Sequence, residues 1–298
     1  MNRTNKSLLA AAFRIAKSVK ATALFIAIDL VKELPQGEPF KGCQIIYISR
    51  SSLEELETYY NKPLPSSATF LQLPHVDMTR ISQIKMAVVL ALSNQVIHSG
   101  DKIVFATGLP RGNNLDALFF LDTATESEIL VTQGISGISE CVNPEVFEET
   151  LEIALELAAR GREGKSVGTI FVLGDEQKVF QLSKQMIINP FKGYTDEERN
   201  ILNRDLRETL REFSAIDGAF VISHEGLVLS AGRYLGAASD EETIPRGLGS
   251  RHIAAAGITA LTQAIAIVIS ESTGDVRIFK NGKILMEIEK PTTNKSSM

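Results

Sequence analysis

Three short segments of the 298-residue chain carry side chains whose types and spacing could do chemistry. The first is Arg246-Gly247-Leu248-Gly249-Ser250-Arg251-His252, which runs directly into the apolar segment Ile253–Thr262. A Gly-rich approach that opens onto a helix leaves backbone N–H groups and the positive dipole end facing outward, which suits a phosphate. Arg251 and His252 add charge and donors in the first turn, where cations are disfavoured unless an anion accompanies them. The same letters also suit an ordinary Gly loop before a core helix. The second segment, Asp217-Gly218-Ala219, sets a carboxylate at a strand entrance with a glycine behind it. Such a pair can hold a metal ion while the backbone approaches a ligand, or can simply turn the chain. The third is Ser270-Glu271-Ser272-Thr273-Gly274, the polar end of the apolar run Ala264–Ser270. It reads either as a functional strand end or as a plain loop.

The elements that must hold these segments can be read from the patterning. In the first half, Gln44–Ser49, Thr69–Leu73, Lys102–Thr107 and Glu128–Thr132 have the composition of buried strands. They alternate with helical patterns: an amphipathic first helix carrying Leu8, Ala12, Ile15, Ala16 and Val19, and a second over Ser82–Val96. That alternation predicts a small α/β layer domain with a largely parallel sheet. A boundary is expected near residue 142, because Asn143-Pro144 is a helix start and the apolar stripe Phe147, Leu151, Ala154, Leu155, Ala158 follows it. A strand is expected over Thr169–Leu173. The Thr195/Glu198 capping box predicts a helix running on through Leu202, Leu206, Leu210 and Phe213. Beyond it come strands at Ala219–Ser223, Leu227–Ala231 and Ala264–Ser270. A hairpin of Val276–Lys280 with Lys283–Ile288 turns at Asn281-Gly282, and a polar tail is expected from Pro291 to Met298.

Composition narrows the function classes. A formal net charge of −5 argues against a protein that coats nucleic acid or anionic membrane. Two cysteines, Cys43 and Cys141, are too few for a disulfide framework, and four histidines without close spacing argue against a His-rich metal site. No run approaches the ~20 uncharged apolar residues of a membrane span, so a cytoplasmic protein is expected.

Taken together, in this order and spacing, Asp217–Ala219, Gly249–His252 and Ser270–Gly274 followed by Asn281-Gly282 resemble the diadenylate cyclase (DAC) domain family. Gly168–Asp175, "GTIFVLGD", sits where that family has an early core strand, and the resemblance covers roughly residues 143–290. It implies an α/β chain of two domains. Residues 1–142 would form an α/β layer domain similar to the C-terminal domain of pyruvate kinase, as in archaeal-type members. Residues 143–298 would form a DAC domain with a central mixed sheet flanked by helices. The implied activity is condensation of two ATP into cyclic di-AMP, a second messenger, by a nucleotidyltransferase that needs Mn²⁺ or Mg²⁺. Its implied partners are ATP and a second copy in a homodimer or higher oligomer with facing DAC domains, with neither nucleic acid nor membrane.

The resemblance also implies roles for residues. Asp217 would hold the metal beside the attacking ribose hydroxyl, joined by Glu271. Arg251 and His252 would contact the triphosphate and complete the catalytic set with Asp217. Gly218, Ala219, Leu235, Gly249, Ser250, Ile253, Ala254, Ser270 and Glu271 would complete the ATP-binding residues. One position departs from the pattern: the family usually continues Arg-His-Arg, and this chain has Ile253. Arg246, or an Arg from a neighbouring subunit, would have to serve instead. The alternative is a protein that binds ATP or cyclic di-AMP without turning it over.

Overall fold

A computed structural model of the chain describes residues 2–35, 41–109, 112–125, 138–162, 164–236 and 247–290. The strand expected at Glu128–Thr132, Arg246, and the tail from Pro291 lie outside the described residues. The chain divides into two compact units, Met1–Thr132 and Gln133–Met298. The boundary expected at residue 142 falls just after the short helix Ile138–Cys141, which is grouped with the second unit.

The first unit contains α1 (Arg3–Val19), β1 (Ala23–Ala27), β2 (Gln44–Ser49), α2 (Leu53–Tyr60), β3 (Ala68–Gln72), α3 (Arg80–Ser93), β4 (Lys102–Thr107) and β5 (Ala117–Asp122). Its sheet has the order β3-β2-β1-β4-β5, parallel throughout except for β5, which runs antiparallel along the edge. The central strand is β1, Ala-Leu-Phe-Ile-Ala, buried along its whole length. Phe25 stacks on Phe105 of β4 with ring centroids 4.3 Å apart.

The second unit carries the three chemical segments. Its elements are α4 (Ile138–Cys141), α5 (Pro144–Arg160), β6 (Ile170–Leu173), α6 (Glu176–Gln181), β7 (Ser183–Gln185), α7 (Leu206–Phe213), β8 (Ala219–Ile222), β9 (Val228–Leu235), α8 (Ser250–Leu261), β10 (Ile265–Ile269), β11 (Val276–Lys280) and β12 (Lys283–Ile288). They build a seven-stranded sheet in the order β12-β11-β10-β6-β8-β9-β7, in which only β6 and β8 pair in parallel. This is a mixed sheet with helices packed on it, the α/β class expected.

Local chemistry explains the ends of these elements. Asn143 caps α5 by accepting from the Glu145 N–H at 3.0 Å, and Pro144 occupies the first helical position. At the β11–β12 turn Asn281 and Gly282 both have positive φ, 51° and 74°, as the twist of a two-residue hairpin requires. The core joins α8 to the sheet: Ala255, Ala256 and Ile258 pack with Ile170, Val172, Ala219, Val221, Ala266, Val268 and Phe279. Small residues on this helix let its axis lie close to the strands, which fixes where its N-terminus ends up.

One expected helix is cut short. Thr195 and Glu198 do form reciprocal bonds: the Thr195 N–H donates to the Glu198 carboxylate at 2.8 Å and the Glu198 N–H to Thr195 Oγ1 at 3.4 Å. Yet residues 195–205 remain a series of turns, and helix begins only at Leu206. The Asn200 and Asn203 side chains accept from the backbone two residues on, Leu202 and Asp205, and so compete with helical pairing. The backbone is also drawn into the β8–β9 connection, with the Ile201 N–H donating to Gly226 O and the Val228 N–H to Arg199 O, both at 2.8 Å. Leu202, expected on the buried face, is exposed in consequence.

Candidate active site

The glycine of the Asp217-Gly218-Ala219 segment is required by space as well as conformation. Gly218 has φ +104°, and a Cβ there would lie 2.7 Å from both the Arg233 nitrogen and the Gly232 carbonyl carbon of β9. L-residues avoid that region, and the two strands could not close on a side chain. The segment therefore delivers Asp217 to the mouth of β8 with its side chain 88% exposed. Replacing Gly218 by Ala is expected to cost about 1–3 kcal/mol of stability and to shift Asp217. Chemical denaturation would check it, and a change under about 0.5 kcal/mol would contradict the steric account.

Helix α8 starts nearby. Gly249 is its N-cap in extended conformation, without a side-chain cap, and no acidic residue occupies the first turn. The N–H groups of Ser250 and Arg251 have no acceptor within the helix, so this end offers donors and the positive dipole to an anion. Arg251 extends from this turn between two carboxylates. Its Nη1 donates to Glu271 at 2.9 Å and its Nη2 to Asp217 at 3.3 Å. Room for the pair comes from Gly168, ahead of β6, where a Cβ would meet Arg251 Nη1 and Glu271 Cβ, each at 2.9 Å. Three segments far apart in sequence thus converge on one guanidinium.

Arg251 and Glu271 border a cleft of about 760 Å³ whose walls also include Gly249, Ser250, His252 and Ser270; Asp217 is not among the residues that line it and is joined to it through Arg251. That is within the size range of small-molecule sites. Other residues expected to bind ATP lie off its wall. Ala219 and Leu235 are buried in the core that holds α8, and Ala254 packs against that core. Ile253 is 38% exposed, and Gly218 acts through the placement of Asp217.

His252 differs from its expected role as a source of charge. Burial, then the guanidiniums of Arg277 and Arg251, push its pKa down to about 4, so the imidazole is neutral near pH 7. Lys165, Ser166 and Arg277 also line the cleft, and the sequence reading missed all three. For Arg277 a signal existed. It is the one arginine in the strand Val-Arg-Ile-Phe-Lys, all five of whose residues are buried, and a buried arginine needs partners. Lys165 and Ser166 lie in a short connection whose letters carry no such signal.

The donor set fits a hard divalent cation. Among the described residues no three His, Cys, Asp or Glu side chains form a metal cage. Two exposed carboxylates, Asp217 and Glu271, instead share one cationic partner beside the uncapped N-terminus of α8. Magnesium-type ions use that pattern, taking one or two carboxylates and completing their shell with water and substrate phosphates.

Comparison with known proteins bears on the whole chain. The family model described as DisA bacterial checkpoint controller nucleotide-binding matches residues 156–284. A diadenylate cyclase of Methanocaldococcus jannaschii is 37% identical over 218 residues, 73% of this chain and 69% of that protein. Another from Haloferax volcanii is 37% identical over 224 residues, 74% of this chain and 80% of that one. Both matches are longer than the second unit, so the similarity extends into the first. A pyruvate kinase from Cryptosporidium parvum superposes with a TM-score of 0.30 and 14% identity, covering 41% of this chain and 23% of that one. The likeness of the first unit to the pyruvate kinase C-terminal domain therefore stays an expectation. The two archaeal relatives, each matched at 37% identity over more than two thirds of its own length, show where the chain stands: it belongs to the diadenylate cyclase family.

Proposed function

We infer that the chain condenses two ATP molecules into cyclic di-AMP, releasing two pyrophosphates. Beyond family membership, the observation that carries this reading is the uncapped N-terminus of α8 with Arg251 held between Asp217 and Glu271. Triphosphate oxygens would occupy the helix end and draw Arg251 away from its carboxylates into charge-assisted hydrogen bonds. Asp217 and Glu271 would then be released to hold Mn²⁺ or Mg²⁺, which when bound neutralises phosphate charge. Gly218 fixes Asp217 against the strand pair so that it meets the nucleotide at a set position. Ser270 and Glu271, just beyond the end of β10, line the same cleft as Arg251. Nucleotidyl transfer depends on alignment and charge neutralisation more than on covalent chemistry from the protein. Incubating the purified chain with ATP and Mn²⁺ or Mg²⁺, then searching for cyclic di-AMP by mass spectrometry, tests the reading. Absence of product with either metal would count against it.

The described residues form one such cleft per chain, whereas the product joins two nucleotides. Two copies must therefore face each other, each 3′-hydroxyl opposite the other's α-phosphate. Activity per subunit is expected to fall on dilution as that pair dissociates. Assays over a concentration series beside light scattering would show it. Constant specific activity in a demonstrated monomer would contradict the two-site scheme. Among the described residues no helix is long and apolar enough to cross a membrane.

A further inference from the structure

Arg277 is 8% exposed and its guanidinium is divided between two tasks. Its Nη2 donates to Glu287, and to Asp275 at 3.4 Å, which compensates the buried charge from within the β11–β12 hairpin and the turn before it. Its Nη1 lies 3.0 Å from His252 Nε2. A guanidinium has donors and no acceptor, so the hydrogen bond runs from Arg277 to the imidazole and Nε2 must be the unprotonated nitrogen. The proton of the neutral ring then sits on Nδ1. That atom is buried in a side chain only 5% exposed, and it makes no well-aligned hydrogen bond, with the Gly249 carbonyl as the one acceptor near enough to favour the ring's proton. A buried donor left unmet is costly, and one that persists at a cleft wall calls for an explanation.

The surroundings supply one. His252 is in the first turn of α8, where a charged imidazolium would oppose the helix dipole, whereas a neutral N–H donor adds to the anion site. Among the described residues a Cβ at Gly247 or Gly249 would meet nothing within 4 Å, so open space lies beside the turn ahead of it.

We propose that Arg277 is a positioning residue which, by donating to Nε2, fixes His252 as the neutral Nδ1–H tautomer and reserves that proton for a phosphate oxygen of the nucleotide. This rests on the reading of the cleft as a nucleotide site. The orientation of a ring by its second nitrogen is a general device in sites that use histidine. Here the partner is a cation, so it also discourages protonation of the ring.

The test reads two quantities: the tautomer of His252 in the ligand-free protein, from imidazole ¹⁵N shifts assigned with His252→Gln, and the affinity for a non-reacting ATP analogue. The wild type is expected to carry its proton on Nδ1. Arg277→Met should release the ring into a tautomer mixture and weaken analogue binding about ten-fold. Arg277→Lys, which keeps one donor for Nε2, should retain the tautomer and bind within about three-fold of wild type. Should Arg277→Met fail to fold, the wild-type tautomer and the Lys variant still decide the matter. A wild-type proton on Nε2, an unchanged tautomer in Arg277→Met, or a changed tautomer with unchanged affinity would each overturn the proposal. So would equal loss of affinity in both variants with the tautomer kept, because the guanidinium would then touch the nucleotide itself. A wild type that binds no analogue would remove the nucleotide reading and the proposal with it. The ligand-free tautomer would then stand as a structural feature alone.

Discussion

Asp217→Asn is expected to abolish cyclic di-AMP formation while leaving the fold intact. The side chain is 88% exposed at the mouth of β8, and among the described residues it makes a partly exposed pair with Arg251. Surface pairs of this kind contribute little to stability, so the melting temperature should scarcely move. The amide has nearly the same shape but no charge, and it coordinates a hard cation far more weakly than a carboxylate. With Glu271 left as the single anionic ligand, the metal would be held poorly at the moment phosphate charge builds up. A loss of roughly a thousand-fold, about 4 kcal/mol of transition-state stabilisation, is the expected scale. Product measured by mass spectrometry beside thermal melting separates the two effects. Activity within a few-fold of wild type would remove Asp217 from the mechanism.

How far the sequence exposed this site differs from segment to segment. The three chemical segments were visible because each pairs glycine with charge at the end of an apolar run. Their convergence on Arg251 was not visible, since it depends on α8 lying across the sheet and on the missing side chain at Gly168. The hairpin over Val276–Ile288 was legible because Asn-Gly fixes both turn conformation and register. The central strand β1 went unread: its five apolar residues follow an amphipathic helix after only Lys20, Ala21 and Thr22, and the αL cap at Lys20 that ends the helix is not a residue type that announces a stop. Helix α2 was missed although Ser52 and Glu55 form a complete capping box, while the same signal at Thr195 was over-read. The difference lies downstream: Asn200 and Asn203 offer the second segment competing turns, and nothing comparable interrupts Leu53–Tyr60. Arg277 shows the reverse failure, in which a polar letter inside a strand pattern passed as an ordinary alternation. Its burial and its bond to His252 are tertiary facts.

Arg251→Ala is expected to be severe. In the resting cleft Arg251 neutralises Asp217 and Glu271 together. Without it, the triphosphate loses its charge-assisted contact, and the helix end, His252 and the metal held by Asp217 and Glu271 must attract it. A charge-assisted contact is worth roughly 1.5–3 kcal/mol, so affinity for ATP or the rate of product formation should fall about ten- to a hundred-fold. Stability should be nearly unchanged, because both pairs are partly exposed and solvent already screens them. Ile253 sharpens the test. It is 38% exposed two positions further along α8, where the family resemblance implies a second arginine, and the helix N–H groups, Arg251 and His252 remain to bind phosphate. Ile253→Arg should therefore change ATP affinity only modestly in a chain that is already active. A different result would reassign the protein: if the wild type forms no cyclic di-AMP and Ile253→Arg does, this chain binds nucleotide as a sensor, and the arginine missing at position 253 is what separates it from turnover.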